Sequence, residues 1–394
     1  MGMWRNASFP RLRFIINSPS RDISMSYSRL IPLMLLAFCF QANLVVRADW
    51  ELGPTGTKAS LRGLHACNDL QIWACGSQGT VIRSSDGGSS WTECGPDKFG
   101  DLEFRSIHAW DAQSAIVASA GSPAVILLTT NGGESWEVAY ENKDPAAFFD
   151  ALKFWTSKRG LAFSDPVAGR LLVVETFDGG KSWRESEGMP ASASGEAGFA
   201  ASNSGLCVDS DGNAWVGTGG ADAETSRVYH RPAGASSWTV QECPLASSAT
   251  NGVFSIAHAN VAEGKLLVAV GGDYRPNEIS HAVAAFSVDQ GQSWTSAPGQ
   301  PSAFRSSVVA FTPESSGENG GAIWICTGPT GSDFSVDGKN WHSLSERGFH
   351  VLASSELHIF AAGSDGRFAA MAKRDVAESI STINRKRKLQ ADEK

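Results

Sequence analysis

No Cys-x-x-Cys pair and no His-Glu-x-x-His spacing occurs in this 394-residue chain, so neither a zinc ribbon nor a helix-borne metalloprotease site has a basis in it. An excess of positive charge is also missing. The net charge is −8, which argues against general nucleic-acid binding. The tetrad GTGG at Gly217 is followed by no helical pattern and no βαβ context, so a dinucleotide cofactor lacks its usual cradle. One long apolar run exists, residues 30–46, and it is at the short end for a membrane span. Tyrosine is scarce, with 4 residues against 13 tryptophans and 41 glycines, so aromatic packing must rest on tryptophans set among turns.

The apolar run reads as an export signal. Arg29 precedes it, and the small residues Val46 and Ala48 stand where a signal peptidase inspects the chain. Residues 1–48 are therefore expected to be removed, with Met25 giving the more conventional start, and the mature chain to be periplasmic or secreted. An uncleaved N-terminal anchor is the alternative. Beyond the signal lie Cys67, Cys75, Cys94, Cys207, Cys243 and Cys326. Their sparse spacing predicts buried thiols with one or two disulfides. No metal and no cofactor is expected.

What the chain does have is a phrase written several times. SSDGGSSW at residues 84–91 returns as TTNGGESW, TFDGGKSW and SVDQGQSW, and SVDGKNW at Ser335 is a copy one residue short. The acid or amide positions are Asp86, Asn131, Asp178, Asp289 and Asp337. Such side chains accept hydrogen bonds from the backbone just ahead of them, glycine supplies positive φ, and tryptophan buries a large ring at the start of the next strand. A degenerate copy ends at Trp238. The tryptophans Trp91, Trp136, Trp183, Trp238, Trp294 and Trp341 are separated by 45, 47, 55, 56 and 47 residues. That period, with four short strands per unit, predicts propeller blades.

A propeller must close to hide its sheet edges. After Trp341 the chain supplies only three strands, and DWEL at residues 49–52 looks like the missing fourth. The expected fold is all-β, a seven-bladed β-propeller over residues 49–373 closed by the N-terminal strand. Residues 374–394, with the basic run at Arg385, read as a disordered polar tail.

The repeated phrases resemble the Asp-box, or BNR, repeat of sialidases, sortilin-type receptors and the photosystem II assembly/stability factor family. Segments such as FFDALKFW, SDPVAGR, GEAGFAAS, WVGTGG and GGDY are similar to exported bacterial propellers related to that last family. The resemblance implies that the boxes lie on the outer rim, between third and fourth strands. It places them away from the central channel and is nearly silent about activity.

Function is then expected where the repeats differ. Aligned on an opening Phe or Leu, the first strands continue with Arg62, Arg105, Asp150, Ala200, Ser255, Arg305 and His350. Round the ring this sets Arg305, His350, Arg62 and Arg105 in consecutive blades at one channel mouth, opposite a small pair. Guanidinium groups bind carboxylate, sulfate or phosphate in two-point geometry. Pairing with acids of neighbouring blades is the competing role. Asp273 and Asp333, on loops predicted to face the same mouth, complete the expected pocket.

Two functions fit. The first is a binding or assembly-factor-like module whose mouth takes an anionic small molecule, a glycan or a protein partner, in a monomer that does not bind nucleic acid. The second is a sialidase-like glycoside hydrolase, with Tyr274 as nucleophile, Glu196 as its base and Asp165 as acid. The chain departs from that family, because FRSI at Phe104 lacks the proline of the sialidase motif.

Overall fold

Each repeated phrase forms the turn between the third and fourth strands of a four-stranded sheet. The computed structural model describes residues 48–220, 223–275, 282–314 and 321–392, and side chains through residue 382. The export segment expected at the N-terminus lies outside the described residues. In the first turn, Ser84 Oγ donates to Asp86 Oδ1 at 2.8 Å and accepts the Gly88 N–H at 2.9 Å. Asp86 Oδ1 also accepts the Ser90 N–H at 2.8 Å, and the Trp91 indole donates to the Gly88 carbonyl. Gly87 and Gly88 hold φ of 73° and 90°, a region costly for other residues. Asn131, Asp178 and Asp289 repeat the pattern, and Asp337 makes its shorter form. The Asp178 side chain bonds only within its own turn, to Thr176 and Ser182, so Asp178→Ala should lower the unfolding midpoint and leave ligand-induced thermal shifts intact. A selective loss of ligand response at unchanged midpoint would place function at the rim.

Seven four-stranded antiparallel sheets result. Their innermost strands open blades 1 to 7: Leu61–Ala66, Phe104–Ala109, Phe149–Phe154, Leu206–Val208, Asn251–Val261, Ser307–Phe311 and Val351–Ser354. Each inner strand touches the next, and the seventh touches the first, so the ring is closed. Glu51–Gly53 supplies the outer strand of blade 7, pairing with Phe368–Ala372 through Glu51 to Ala370, Leu52 to Ala369 and Gly53 to Phe368. Hydrophobic clusters fill the gaps between neighbouring blades. Ile116 and Ile126 of blade 2, for example, meet Phe149 and Leu152 of blade 3. The cores are thus radial slabs, which is why each unit carries its own apolar strands.

Two expectations are corrected. The disordered tail is a helix, Lys373–Asp392, whose Val376, Ala377 and Ile380 reach the core shared by blades 6 and 7. An apolar pair at i and i+4 anchors it despite the charged surroundings. The expected disulfides do not form: all six described cysteines are free. Cys75, Cys207, Cys243 and Cys326 sit inside blade cores, and burial raises their thiol pKa values.

Candidate functional site

Inner strands begin with an irregularity that aims side chains at one channel mouth. In blades 1, 2, 3 and 5 the register slips by one residue, and Arg62, Arg105, Asp150 and Phe254 are the extra residues. A bulge of this kind re-aims a side chain away from the regular alternation. The residue just before it is core. Leu61, Phe104, Phe149, Val253 and Phe349 are all 0–1% exposed.

Arg305 occupies that core position in blade 6. Its N–H bonds to the Gly271 carbonyl, as those of Phe349 and Leu61 bond to Gly328 and Gly363. Alignment on phenylalanine is therefore one residue out in blades 5 and 6, and the counterparts of Arg62 are Phe254 and Ser306, in place of Ser255 and Arg305. Arg305 is 2% exposed and lies against Asp333, itself 1% exposed, with Nε to Oδ2 at 2.6 Å. Both residues belong to blade 6, so the expected mouth cation and mouth acid satisfy each other inside one sheet.

Ala200 also departs from its expected place. Residues 199–204 leave blade 4 and fill the channel. Asn203 accepts the Leu152 N–H from blade 3 at 2.9 Å and donates to the Ile107 carbonyl of blade 2 at 2.8 Å. Ser202 donates to the Ser306 carbonyl of blade 6, and Ser204 meets Ser255 of blade 5 at 2.8 Å. This plug shortens the inner strand of blade 4 and closes the floor of the mouth.

The structure does bring Arg62, Arg105 and His350 together. Arg62 makes no hydrogen bond or ion pair among the described residues. Burial and then the Arg105 charge push its pKa down to about 10, against the opposing Glu103. Arg105 pairs with Glu103 and donates to the plug at the Ala200 carbonyl. His350, 8% exposed, is held by Ser364 at 2.8 Å. Burial and the neighbouring Arg62, Arg367 and Arg105 push its pKa down to about 3. It is a neutral imidazole at neutral pH and brings no positive charge to the mouth.

Across the ring, blade 5 presents an aromatic wall. Phe254 stacks on Phe199 with centroids 3.9 Å apart, and Phe304 stands edge-on at 4.7 Å. Gly252 lets the ring of Phe199 approach, since a Cβ there would lie 2.4 Å from it. Tyr274, half exposed, extends this wall. Tyr274 was expected to serve Glu196 as a nucleophile partner. Glu196 is instead saturated by Arg227, Thr218 and the buried Tyr229, whose hydroxyl lies 2.9 Å away. Burial opposes its ionisation, but these bonds outweigh it and hold the carboxyl below its usual range. Asp273 is likewise engaged, by Arg275, Thr250 and Asn251.

Asp150 and Asp165 lie together under Gly198. The Gly198 N–H donates to Asp165 at 2.7 Å, and a Cβ on Gly198 would meet Asp150 at 2.3 Å. Neither Asp150 oxygen has a hydrogen-bond partner among the described residues. Burial first and Asp165 second raise its pKa well above the carboxylate range, against Arg105. Burial raises Asp165 to about 6, against the Gly198 bond. A raised carboxyl binds its proton more tightly when folded than when unfolded. The contribution of Asp165 to stability is then greatest at low pH and declines as pH rises from the unfolded value of 3.8 through about 6. Asp165→Asn should flatten the thermal midpoint over that window, and an unchanged slope would overturn the assignment.

With this geometry the chain is defined as a seven-bladed β-propeller with a plugged, bipolar mouth. No family model and no curated protein matches it. Among solved structures it is similar to YCF48 bound to D1 peptide, at 16% identity and a TM-score of 0.57, covering 82% of this chain and 97% of that one. YCF48 from Cyanidioschyzon merolae matches at 16% identity and 0.53, covering 83% and 100%. The structure of U3-55K matches at 12% and 0.55, covering 82% and 98%. At these identities the likeness is one of fold.

Proposed function

We propose that the protein is an exported binding module, of assembly-factor type, that seats an anionic group of a protein or peptide partner in its mouth. The observation that carries this reading is Arg62, a partly buried guanidinium without a partner among the described residues, beside Arg105 and above a closed floor. Two guanidiniums held close together repel one another, and an anion bound between them relieves that repulsion. The aromatic wall opposite offers apolar contact to whatever bears the anion. A solved neighbour of the same fold carries a peptide, which supports a partner of that kind. Export rests on the apolar run at residues 30–46.

The test is thermal shift and turnover with acidic peptides, sialosides, sulfated sugars and phosphorylated metabolites. An acidic peptide is expected to raise the midpoint without turnover. Arg62→Ala should weaken it by about 1.5–3 kcal/mol, the usual worth of a hydrogen bond to a charged group. His350, already neutral, should add no pH dependence to binding between pH 6 and 8. Binding unaffected by Arg62→Ala would sink the proposal.

A further inference from the structure

The helix Lys373–Asp392 starts on the face opposite the mouth. In blade 7 the first strand runs away from the mouth, the second returns, and the third, Phe368–Ala372, runs away again into the helix. The hairpins that follow the first strands of blades 7 and 1 lie on this same face. Asp69 of blade 1 ties the two together. It accepts the Leu357 N–H at 3.0 Å and meets His358 Nδ1 at 2.9 Å. Leu70 and Leu357, on these tied hairpins, are 59% and 52% exposed. Two leucines are thus held out to solvent on neighbouring blades, at turn positions that polar residues usually fill.

Between the helix and the loops of blades 6 and 7 lies a cleft of about 750 Å³. Phe311, Pro313, Leu357, Ala372 and Ala377 give it an apolar lining. Lys373 stands in its wall, with the amine 5.3 Å from the centre of the Phe311 ring and bonded to the Ser355 carbonyl. Farther along, the helix changes character. Asp375 and Glu378 pair with Arg374 near its start. No acid then occurs until Asp392, and Arg385–Lys388 are four cations in succession in a chain of net charge −8. Four successive positions go once round a helix. Among the described side chains Ile380 is the last of the helix in the core. The run therefore begins about 8 Å of helix beyond its last anchor.

We propose that this face docks on an anionic lipid bilayer, with the basic run of the helix against the headgroups and Leu70, Leu357 and the apolar cleft against the acyl boundary. A bilayer surface offers negative charge and hydrocarbon side by side, which is the pairing this face presents. A polynucleotide answers the cations alone and leaves the leucines and the cleft in water. Charges farther than about 8 Å from the surface are screened at physiological salt, so the acidic bulk of the propeller opposes docking little. Glu314 and Glu356 also line the cleft, but these two acids are outnumbered by the run of four cations. Docked in this way, the mouth points away from the bilayer and stays open. The surface is separate from the mouth and does not depend on the reading given for it.

The experiment is sedimentation of the purified protein with phosphatidylcholine vesicles made with and without phosphatidylglycerol. Binding is expected to the anionic vesicles only, and to fall steeply as salt is raised. Arg385→Gln, Lys386→Gln, Arg387→Gln and Lys388→Gln combined should weaken it about a hundredfold, since each cation near an anionic surface adds to the attraction. Leu357→Gln, at an exposed position, should weaken it several-fold. The thermal shift given by an acidic peptide should be the same in the quadruple variant as in the parent. Equal binding to the two vesicles, a quadruple variant that binds as tightly as the parent, or a preference for a polynucleotide over the anionic vesicles would overturn the proposal. Should the quadruple variant fold poorly, the vesicle comparison and its salt dependence decide on the parent chain alone.

Discussion

A chain that begins at Gly53 should unfold far more readily than one that begins at Asp49. The four residues removed contain Trp50, which is 2% exposed and meets Phe349 edge-on at 5.1 Å. The Trp50 indole also donates to Ser332 of blade 6 at 3.2 Å, and Arg347 donates to the Trp50 carbonyl. Losing a buried aromatic side chain typically costs about 3–5 kcal/mol. The truncation also bares the edge of Phe368–Ala372, a ready template for pairing with another chain. Thermal and denaturant unfolding of the two chains gives the difference, and Trp50→Ala separates the ring from the strand. Equal midpoints would mean that blade 7 is complete without its N-terminal strand.

Asp333→Ala should be the most damaging single substitution in blade 6. It leaves the Arg305 guanidinium uncompensated at a position where other blades carry Leu, Phe or Val. Breaking a buried ion pair from one side typically costs about 3–5 kcal/mol. Ser302, which donates to Asp333 Oδ1 at 2.6 Å, loses its acceptor as well. The double variant Arg305→Met with Asp333→Leu removes both charges and should recover most of the loss, since hydrophobic replacement of a buried pair is often neutral or better. Guanidinium unfolding measures all three. A loss under about 1 kcal/mol for Asp333→Ala would show that Arg305 can reach water, as exposed pairs contribute little.

Local chemistry was legible and long-range placement was not. The turns could be read because Asp86, Gly87, Gly88 and Trp91 satisfy one another within eight residues. Blade number and closure followed from the period, since a ring of sheets leaves few ways to hide an edge. The mouth was only half readable. Arg62 and Arg105 follow a buried Leu or Phe, so letter alignment found them. In blade 6 the residue before Arg305 is Phe304, an aromatic of the mouth wall, so the same rule slipped by one. The plug gave no signal, because SNSG reads as an ordinary polar turn until its partners in blades 2, 3, 5 and 6 are known. The last helix was hidden by its charges, which outnumber the few apolar residues that seat it.

The plug has a consequence for how this ring can change over generations. Propellers built of similar units can grow or shrink by copying or dropping a unit. Here a single stretch from blade 4 is tied at once to Ile107, Leu152, Ser255 and Ser306 on four other blades. An added blade would widen the bore and pull those partners beyond reach, leaving buried hydroxyl and amide groups unanswered. A lost blade would crowd them. Copy number is therefore set from the hub as well as from the rim, and a lineage that altered it would have to rewrite residues 199–204 at the same time.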